Sequence, residues 1–424
     1  MRHQKDRILS SQITAHIGQT ITMCGWLHAR RSLGSITFVV LRDGAGTVQC
    51  VVPGAVEVGV HSVIRVTGRV QAEPRSQQGV ELHVASLEVL EAVSHTPPVN
   101  ISKQELSSSA PLVLEHAATT LRHPRRRAVF ACSAAAMQGF RRTLVEQGFT
   151  EVQTPKLVAS ATEGGANVFE VGYFGKKAYL AQSPQFYKQT MVGVFERVFE
   201  VGPVFRAEPH ATARHLSEYV SLDVELGFIE NHFCVMKVVR QVLAGIFAQI
   251  GATCSRELGL LGVTLPEVPE AIPHIHFREV RARFGGEGQD LTPQQERAVG
   301  AWANEEYGSP FVFVTGYPMG KRPFYTHPEQ GAEQWSNSFD LLYNGLELIT
   351  GGQRLHRYGA YLQALQSRGM SPEPFAGYLE TFRYGMPPHG GFAIGLERLI
   401  KQLVGASNIR ETTLFPRDMN RLTP

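Results

Sequence analysis

Five short strand-like runs near the N-terminus limit the fold of this chain more strongly than any other feature. Apolar and polar residues alternate in each run, and Gly, Asp and Pro separate the runs. Five strands in about 75 residues are typical of a small Greek-key barrel of the OB type. Another small barrel or half-sandwich with no ligand fits the same pattern. The runs span residues 21–27, 36–41, 47–52, 63–70 and 80–90.

The remainder of the chain predicts an α+β domain built on an antiparallel sheet with flanking helices. A helix is expected at 125–147 and another at 355–368, with a helix-rich segment at 233–257. The absence of βαβ alternation argues against a Rossmann fold. The expected strands are 150–152, 178–180, 198–205, 221–228, 311–315, 338–343 and 346–350.

Length and charge limit the number of domains and the kind of partner. At 424 residues the chain is too long for one hydrophobic core, so we expect two or three domains. We place the barrel at 1–93, a hinge rich in Pro, Ser and Ala at 94–120, and the larger domain at 121–424. With 41 Lys and Arg against 38 Asp and Glu, a nucleic acid would have to meet local basic patches.

The cysteines and the N-terminal residues indicate a reducing, aqueous compartment. There are 5 Cys and no C-x-x-C spacing, so neither a disulfide framework nor a zinc cluster is expected. The first residues lack the apolar core of a secretory signal, and no run of 18 apolar residues occurs. We therefore expect a soluble, cytoplasmic protein with no membrane association.

Two arginine-centred segments predict a triphosphate site. One runs Phe-Arg-Ala-Glu at 205–208 with Arg214 shortly after it, and the other runs Gly-Leu-Glu-Arg at 395–398. Guanidinium groups stay charged and grip phosphate oxygens, and no Walker A loop is present to do so instead. These segments resemble motifs 2 and 3 of the class II aminoacyl-tRNA synthetases. The surrounding residues are most similar to aspartyl-tRNA synthetases of the archaeal type over nearly the whole chain, with motif 1 near 149–158, motif 2 near 203–228 and motif 3 near 390–402.

The resemblance implies an ATP site in which Arg206 and Arg398 are the catalytic residues. Arg206 would contact the α-phosphate and Arg214 the γ-phosphate, while Glu208 would accept from the adenine amine. Asp340 and Glu347 lie on either side of a predicted turn at 344–345, and with Thr350 they could bind Mg²⁺. The expected ATP contacts are Arg206, Glu208, Arg214, His215, Leu216, Glu347, Gly395, Leu396, Glu397 and Arg398.

The resemblance also implies L-aspartate as the amino-acid substrate. The segment Gln-Ser-Pro-Gln at 182–185, followed by Lys188, matches a string of aspartyl-tRNA synthetases that the asparaginyl enzymes do not carry. Lys188 and Arg354 would pair with the side-chain carboxylate, and Glu163 with the α-ammonium group. Taken singly, a lone Lys or a Gly-Gly turn is more often solvent-exposed surface. The expected aspartate contacts are Glu163, Gln185, Lys188, Arg206, Thr350 and Arg354; Ile349 precedes Thr350 where the family commonly has Thr-Ser.

In the barrel, several residues match positions that read the anticodon in this family. Phe38 would stack on a base, and Gln49 and Glu88 would form hydrogen bonds, although a strand aromatic such as Phe38 is ordinarily core. The members that charge both tRNA(Asp) and tRNA(Asn) share His28 with this chain, whereas Gln77 stands where they usually have Pro. The expected anticodon contacts are His28, Arg30, Phe38, Gln49, Gln77 and Glu88.

The resemblance therefore implies an aspartate-tRNA ligase that uses ATP and Mg²⁺, forms a homodimer through motif 1, and charges tRNA(Asp) and also tRNA(Asn). A strictly tRNA(Asp)-specific enzyme and an asparagine-tRNA ligase are the nearest alternatives. A relative that has lost tRNA and a non-catalytic RNA-binding protein are further ones. The barrel argues against the former, and complete motifs 2 and 3 argue against the latter.

Overall fold

The computed structural model describes residues 7–76, 78–159, 167–209 and 212–423. The chain forms two compact units, Met1–Arg126 and Arg127–Pro424.

The first unit contains a closed five-stranded barrel with strand order β1-β2-β3-β5-β4. Its contacts are antiparallel except where β3 and β5 close the barrel in parallel, with Cys50 opposite Leu82. Buried and partly exposed residues alternate along β2 and β3, as expected for strands with one face inside a barrel. The predicted OB-type barrel is confirmed. Its strands are β1 Thr20–Leu33, β2 Ile36–Arg42, β3 Thr47–Pro53, β4 Val63–Ala72 and β5 Val80–Glu91, and the short helices α1 Ala110–Glu115 and α2 Ala117–Thr120 follow them.

The second unit is built on an eight-stranded mixed sheet, accompanied by a separate three-stranded sheet. The main sheet has the order β12-β13-β14-β15-β16-β11-β10-β6, and the small one β7-β9-β8. The strands are β6 Thr150–Glu151, β7 Leu157–Val158, β8 Glu170–Tyr173, β9 Lys176–Leu180, β10 Arg197–Phe205, β11 Glu218–Gly227, β12 His274–His276, β13 Phe311–Thr315, β14 Ser338–Tyr343, β15 Leu346–Gln353 and β16 His389–Gly395. The helices are α3 Pro124–Glu146, α4 Gln185–Phe195, α5 His232–Thr253, α6 Ser255–Leu261, α7 Phe277–Phe284, α8 Pro293–Tyr307, α9 Tyr358–Ser367, α10 Ala376–Arg383 and α11 Leu396–Val404.

The predicted antiparallel sheet is correct for the six central strands, from β13 to β10. The two outer pairs, β12 with β13 and β6 with β10, are parallel instead. The direction of an edge strand depends on the path of the chain between strands, which a local pattern of apolar residues does not contain.

Strand β11 separates the hydrophobic core from the polar face of the sheet. Leu222 and Val224 belong to the large core, whereas Asp223 and Glu225 point to the other side because side chains alternate along a strand. All four are buried. The polar face therefore carries carboxylates inside the protein, which require charged partners.

Helix α5 is long and apolar enough, by length and composition alone, to cross a membrane. Val239, Val242 and Ile246 are fully buried in the large core. Helices α3 and α5 approach closely: a Cβ on Gly139 would lie 2.8 Å from the carbonyl oxygen of Gly245. These contacts are those of a core helix in a globular domain.

Candidate active site

A cavity of about 430 Å³ opens on the polar face of the sheet in the second unit. Its wall includes residues from α4, β11, β15 and β16, together with the segment that follows β10. The two arginine-centred segments, almost two hundred residues apart in the chain, meet there because β11 and β16 are hydrogen-bonded neighbours. The predicted site residues that line it are Gln185, Lys188, Arg206, Glu208, Arg214, His215, Leu216, Glu347, Thr350, Arg354, Gly395, Glu397 and Arg398.

Four buried charges form one cluster at the inner end of this cavity. The Lys188 ammonium lies 3.0 Å from Asp223 Oδ1 and 3.3 Å from Glu225 Oε2. Arg354 Nε donates to Glu225 Oε1 at 3.1 Å. Burial alone would raise the pKa of Glu225, but Arg354 and then Lys188 outweigh it and hold that pKa below its usual value. The cluster thus contains two cations and two carboxylates, each stabilised by the others.

Sequence reasoning missed the two carboxylates of this cluster. Asp223 and Glu225 are acidic residues two apart within an otherwise apolar strand. That spacing places both on one face of β11 and could have indicated a buried charged partner. Their presence changes the expectation for Lys188, because its charge is already balanced by protein carboxylates.

Arg354 keeps one donor for a ligand. Its Nη2 donates to Gln185 Oε1 at 3.4 Å and to the carbonyl oxygen of Gly391 at 3.2 Å. Its Nη1 makes no hydrogen bond within the described part of the chain, and the side chain lines the cavity. A Cβ on Gly391 would lie 2.1 Å from Glu225 Oε2, so only glycine permits this close approach.

The opposite end of the cavity is basic and more open. Arg398 Nη1 donates to Glu347 Oε1 at 3.0 Å, in a pair whose side chains are 34% and 38% exposed. Arg214 is 45% exposed, and its Nη1 lies 3.9 Å from Glu296 Oε2. Glu208 lies 3.3 Å from His215 Nε2. Solvent-accessible guanidinium groups around an open cavity suit a polyphosphate.

The acidic residues near this end fit a magnesium ion that is shared with phosphates. Glu347 Oε1 is 3.5 Å from the hydroxyl of the exposed Thr350. Desolvation, and after it the charge of Asp340, raise the pKa of Glu347, so an arriving cation would favour its ionised form. Among the described residues no group of three His, Cys, Asp or Glu could hold a metal. One carboxylate and one hydroxyl are suitable for Mg²⁺ that takes its other ligands from phosphates and water.

Three residues that were expected to contact ATP or the metal interact with other parts of the protein in the structure. Asp340 is 2% exposed, does not line the cavity, and accepts from Arg322 Nη2 at 2.9 Å. Leu396 packs in the large core. Glu397 accepts from the backbone N–H of Val220 through both oxygens, and burial raises its pKa to about 7. The carboxylate of Glu397 thus ties α11 to β11.

The barrel presents a second groove, which holds three of the predicted anticodon residues. Arg30, Phe38 and Gln49 line it together. Phe38 is only half-buried and does not belong to the barrel core. Gln49 Nε2 donates to Glu81 Oε2 at 3.1 Å, and Glu81 Oε1 lies 2.7 Å from His83 Nε2. Glu81 and His83 were missed because alternate positions of β5 become neighbours of β3 only when the barrel closes.

Two further anticodon candidates have other surroundings in the structure. Glu88 forms an ion pair with Arg65 and does not line the groove. His28 is 8% exposed and lies at a register shift of β1, between Leu27 and Ala29. Burial, followed by the charge of Arg42, lowers the pKa of His28 to about 4. The His28 side chain is thus enclosed by protein in this structure. Gln77 and Glu163 lie outside the described residues.

Two sequence families match this chain, one in each of its two parts. Residues 109–419 match the family described as tRNA synthetases class II (D, K and N), and residues 21–90 match the OB-fold nucleic acid binding domain. An aspartate-tRNA(Asp/Asn) ligase from Thermus thermophilus is 47% identical over 423 residues, which are 99% of this chain and 100% of that protein. A ligase of the same name from Deinococcus radiodurans is 46% identical over 99% of both chains.

Solved structures show the same fold over the whole chain. Asparaginyl-tRNA synthetase from Pyrococcus horikoshii, complexed with asparaginyl-adenylate, matches with a TM-score of 0.90 and 30% identity, covering 98% of this chain and 99% of that chain. Aspartyl-tRNA synthetase from Entamoeba histolytica matches with a TM-score of 0.88 and 30% identity, covering 99% of this chain and 93% of that chain.

Proposed function

Because the chain belongs to the class II tRNA synthetases of the D, K and N group, we propose that it is an aspartate-tRNA ligase that charges both tRNA(Asp) and tRNA(Asn). The proposal depends on one observation: a single cavity is lined both by the buried cluster of Lys188 and Arg354 and by the arginines of motifs 2 and 3. An amino-acid side chain with a carboxylate suits the first part, and ATP suits the second.

The first step joins L-aspartate to ATP. The α-carboxylate of aspartate is already an anion, so it attacks the α-phosphorus without a general base and pyrophosphate leaves. Arg206 and Arg398 line the cavity where the phosphates would lie, and they stabilise the negative charge that develops there. Arg214 binds the terminal phosphate. Mg²⁺, held by Glu347 and Thr350, would neutralise phosphate charge when bound.

Selection of aspartate depends on the buried cluster. Arg354 Nη1 is the cationic donor that an incoming side chain meets, and the buried Lys188 ammonium adds positive charge behind it. A carboxylate gains a charge-assisted hydrogen bond from Arg354 and the attraction of both cations, whereas the neutral amide of asparagine gains far less. This argues against the asparagine-tRNA ligase alternative, even though an asparaginyl enzyme is among the matching folds.

The second step transfers aspartate to the terminal ribose of tRNA, with the barrel reading the anticodon. The anticodons of tRNA(Asp) and tRNA(Asn) differ only at the third base. His28 would influence this choice indirectly, through the bulge that sets the course of Ala29, Arg30 and Arg31 along the groove. Both bacterial relatives are named as ligases for the two tRNAs.

The active form is a homodimer in the cytoplasm. In class II enzymes the dimer contact is made by motif 1, which here includes β6. Strand β6 is the last strand of the eight-stranded sheet, so one of its edges has no neighbouring strand among the residues that the structure describes. A second copy could cover this edge.

Charging of both transcripts by the purified protein tests the proposal. We expect pyrophosphate exchange that requires L-aspartate, and attachment of aspartate to tRNA(Asp) and to tRNA(Asn). Exchange driven equally by L-asparagine would contradict the assignment of the amino acid. Failure to charge tRNA(Asn) while tRNA(Asp) is saturated would leave a strictly tRNA(Asp)-specific ligase.

Replacing Phe38 by alanine is expected to weaken charging and leave pyrophosphate exchange unchanged. The side chain lines the barrel groove, where stacking on a base is worth about 1 to 3 kcal/mol. The measurements are the KM for tRNA in the charging reaction and the rate of pyrophosphate exchange. Leu33→Ala is a matched control, since Leu33 is 58% exposed on the same barrel and does not line the groove. Equal loss of both activities in Phe38→Ala would show that Phe38 only supports the fold.

A further inference from the structure

Behind the aspartate pocket, four hydrogen bonds connect Arg354 to a backbone carbonyl. Arg354 Nη2 donates to Gln185 Oε1 at 3.4 Å, and Gln185 Nε2 donates to Gln189 Oε1 at 2.9 Å. Gln189 Nε2 lies 2.9 Å from His389 Nε2, and His389 Nδ1 lies 2.9 Å from the carbonyl oxygen of Pro387. Gln189 and His389 are both 0% exposed. We call this series the Gln-His relay.

The two ends of the Gln-His relay determine the direction of every bond between them. A guanidinium can only donate, and a carbonyl oxygen can only accept. His389 must therefore carry its proton on Nδ1 and accept at Nε2 from Gln189. Gln189 then has only its oxygen left for Gln185, and Gln185 only its oxygen for Arg354. Burial lowers the pKa of His389 to about 4, which keeps the ring neutral.

Two tyrosines hold the centre of the relay in this orientation. Gln189 Nε2 also donates to the Tyr361 hydroxyl at 3.1 Å, and the Tyr378 hydroxyl lies 3.0 Å from Gln189 Oε1. Tyr361 donates its own proton to the carbonyl of Leu355 at 2.9 Å. Both Oε1 and Nε2 of the buried Gln189 amide thus have hydrogen-bond partners.

We propose that the Gln-His relay sets the amide orientation of Gln185 and thereby the position of Arg354, so that His389 is a positioning residue for the selection of aspartate over asparagine. This inference rests on the proposed function. If Gln189 turned over, its N–H₂ group would face Gln185 Nε2, which also donates to Glu225 Oε2 at 3.5 Å. Two donors in a buried contact repel, so Gln185 would shift and Arg354 Nη2 would lose its hydrogen bond to Gln185 Oε1.

His389→Leu removes the acceptor for Gln189 without touching the cavity, since His389 does not line it. We expect the Kd of the full-length protein for L-aspartate to rise about tenfold or more, as for loss of a hydrogen bond to a charged group. The Kd for ATP should stay unchanged, and the preference for aspartate over asparagine in pyrophosphate exchange should fall. His389→Gln should behave like the original protein, because its amide can accept from Gln189 and donate to Pro387.

His232→Leu is the matched control, since His232 is also buried in the second unit with a pKa lowered to about 4 by burial, and takes no part in the relay. If the leucine variant at 389 does not fold, His389→Asn replaces it: the shorter amide does not reach Gln189 and should bind aspartate more weakly than His389→Gln.

Several outcomes would overturn the relay. The first is that His389→Leu binds aspartate as tightly as His232→Leu does. The second is that His389→Leu loses ATP binding as well as aspartate binding. The third is that His389→Gln and His389→Asn bind aspartate with the same Kd. An unmodified protein that does not bind aspartate would overturn the proposed function and the relay together, so the two failures are distinguishable.

Discussion

Arg398→Ala is expected to reduce aspartate-dependent pyrophosphate exchange by about a hundredfold to a thousandfold, the effect of removing one preorganised donor to a developing charge. Arg398 reaches the cavity from the first turn of α11, beside Glu347. In the proposed function, Arg398 lies at the open end of the cavity, where the phosphates of ATP would bind. The measurement is the rate of exchange at saturating ATP and aspartate.

The fold should be nearly unaffected by this change. Both partners of the Arg398–Glu347 pair are more than one-third exposed, and such pairs contribute about 0 to 1 kcal/mol. Thermal unfolding therefore separates lost chemistry from lost structure. Lys401→Ala on the same helix, outside the cavity wall, is the control and should retain full exchange. Near-normal exchange by Arg398→Ala would refute the catalytic role.

Lys188→Met is expected to abolish aspartate binding and also to destabilise the second unit. Lys188 is 1% exposed and donates to Asp223 and to the carbonyl oxygens of Val224 and Phe392. Removing it leaves two buried carboxylates with one cation, and breaking a buried pair costs about 3 to 5 kcal/mol. The measurements are the free energy of unfolding and the Kd for aspartate of the folded fraction.

A double variant separates these two effects. Lys188→Met combined with Asp223→Asn removes a cation and an anion together, so much of the lost stability should return. Aspartate binding should not return, because the positive charge that lies behind the aspartate pocket is still missing. Recovery of aspartate binding along with stability would show that Lys188 is only structural. Asp223→Asn alone provides the third corner of the cycle.

The buried cluster explains why the role of Lys188 could be only partly predicted from sequence. The Gln-Ser-Pro-Gln segment with Lys188 was identified from its resemblance to a string of aspartyl-tRNA synthetases, and the structure brings Lys188 and Arg354 into one cavity. The carboxylates that balance them come from β11, which lies beside β16 and within reach of α4. A local sequence pattern does not show that β11 lies beside β16 and near α4. The sequence therefore led us to expect more unpaired cations in the pocket than the structure has.

The anticodon residues of the barrel were likewise only partly predictable from sequence. Phe38 and Gln49 both line the groove because β2 and β3, the strands that carry them, pair directly. Glu88 and His28 were also expected to contact the anticodon, and they lie outside the residues that line the groove. The bulge in β1 at His28 and the pairing of Glu88 with Arg65 depend on contacts between strands, which the alternation of apolar residues does not contain.

Local order along the chain predicted a small five-stranded barrel or half-sandwich and the α+β class of the second unit, whereas the OB type and the roles of the arginine segments were chosen through the resemblance to class II synthetases. These depend on periodicity and on short motifs, whose physical causes act between residues close in sequence. Only the tertiary structure decided which charges neutralise one another, which carboxylate remains open to a metal, and how the Gln-His relay is directed. Each of these depends on groups brought together from distant strands, where burial makes an unpaired charge or a misdirected hydrogen bond costly.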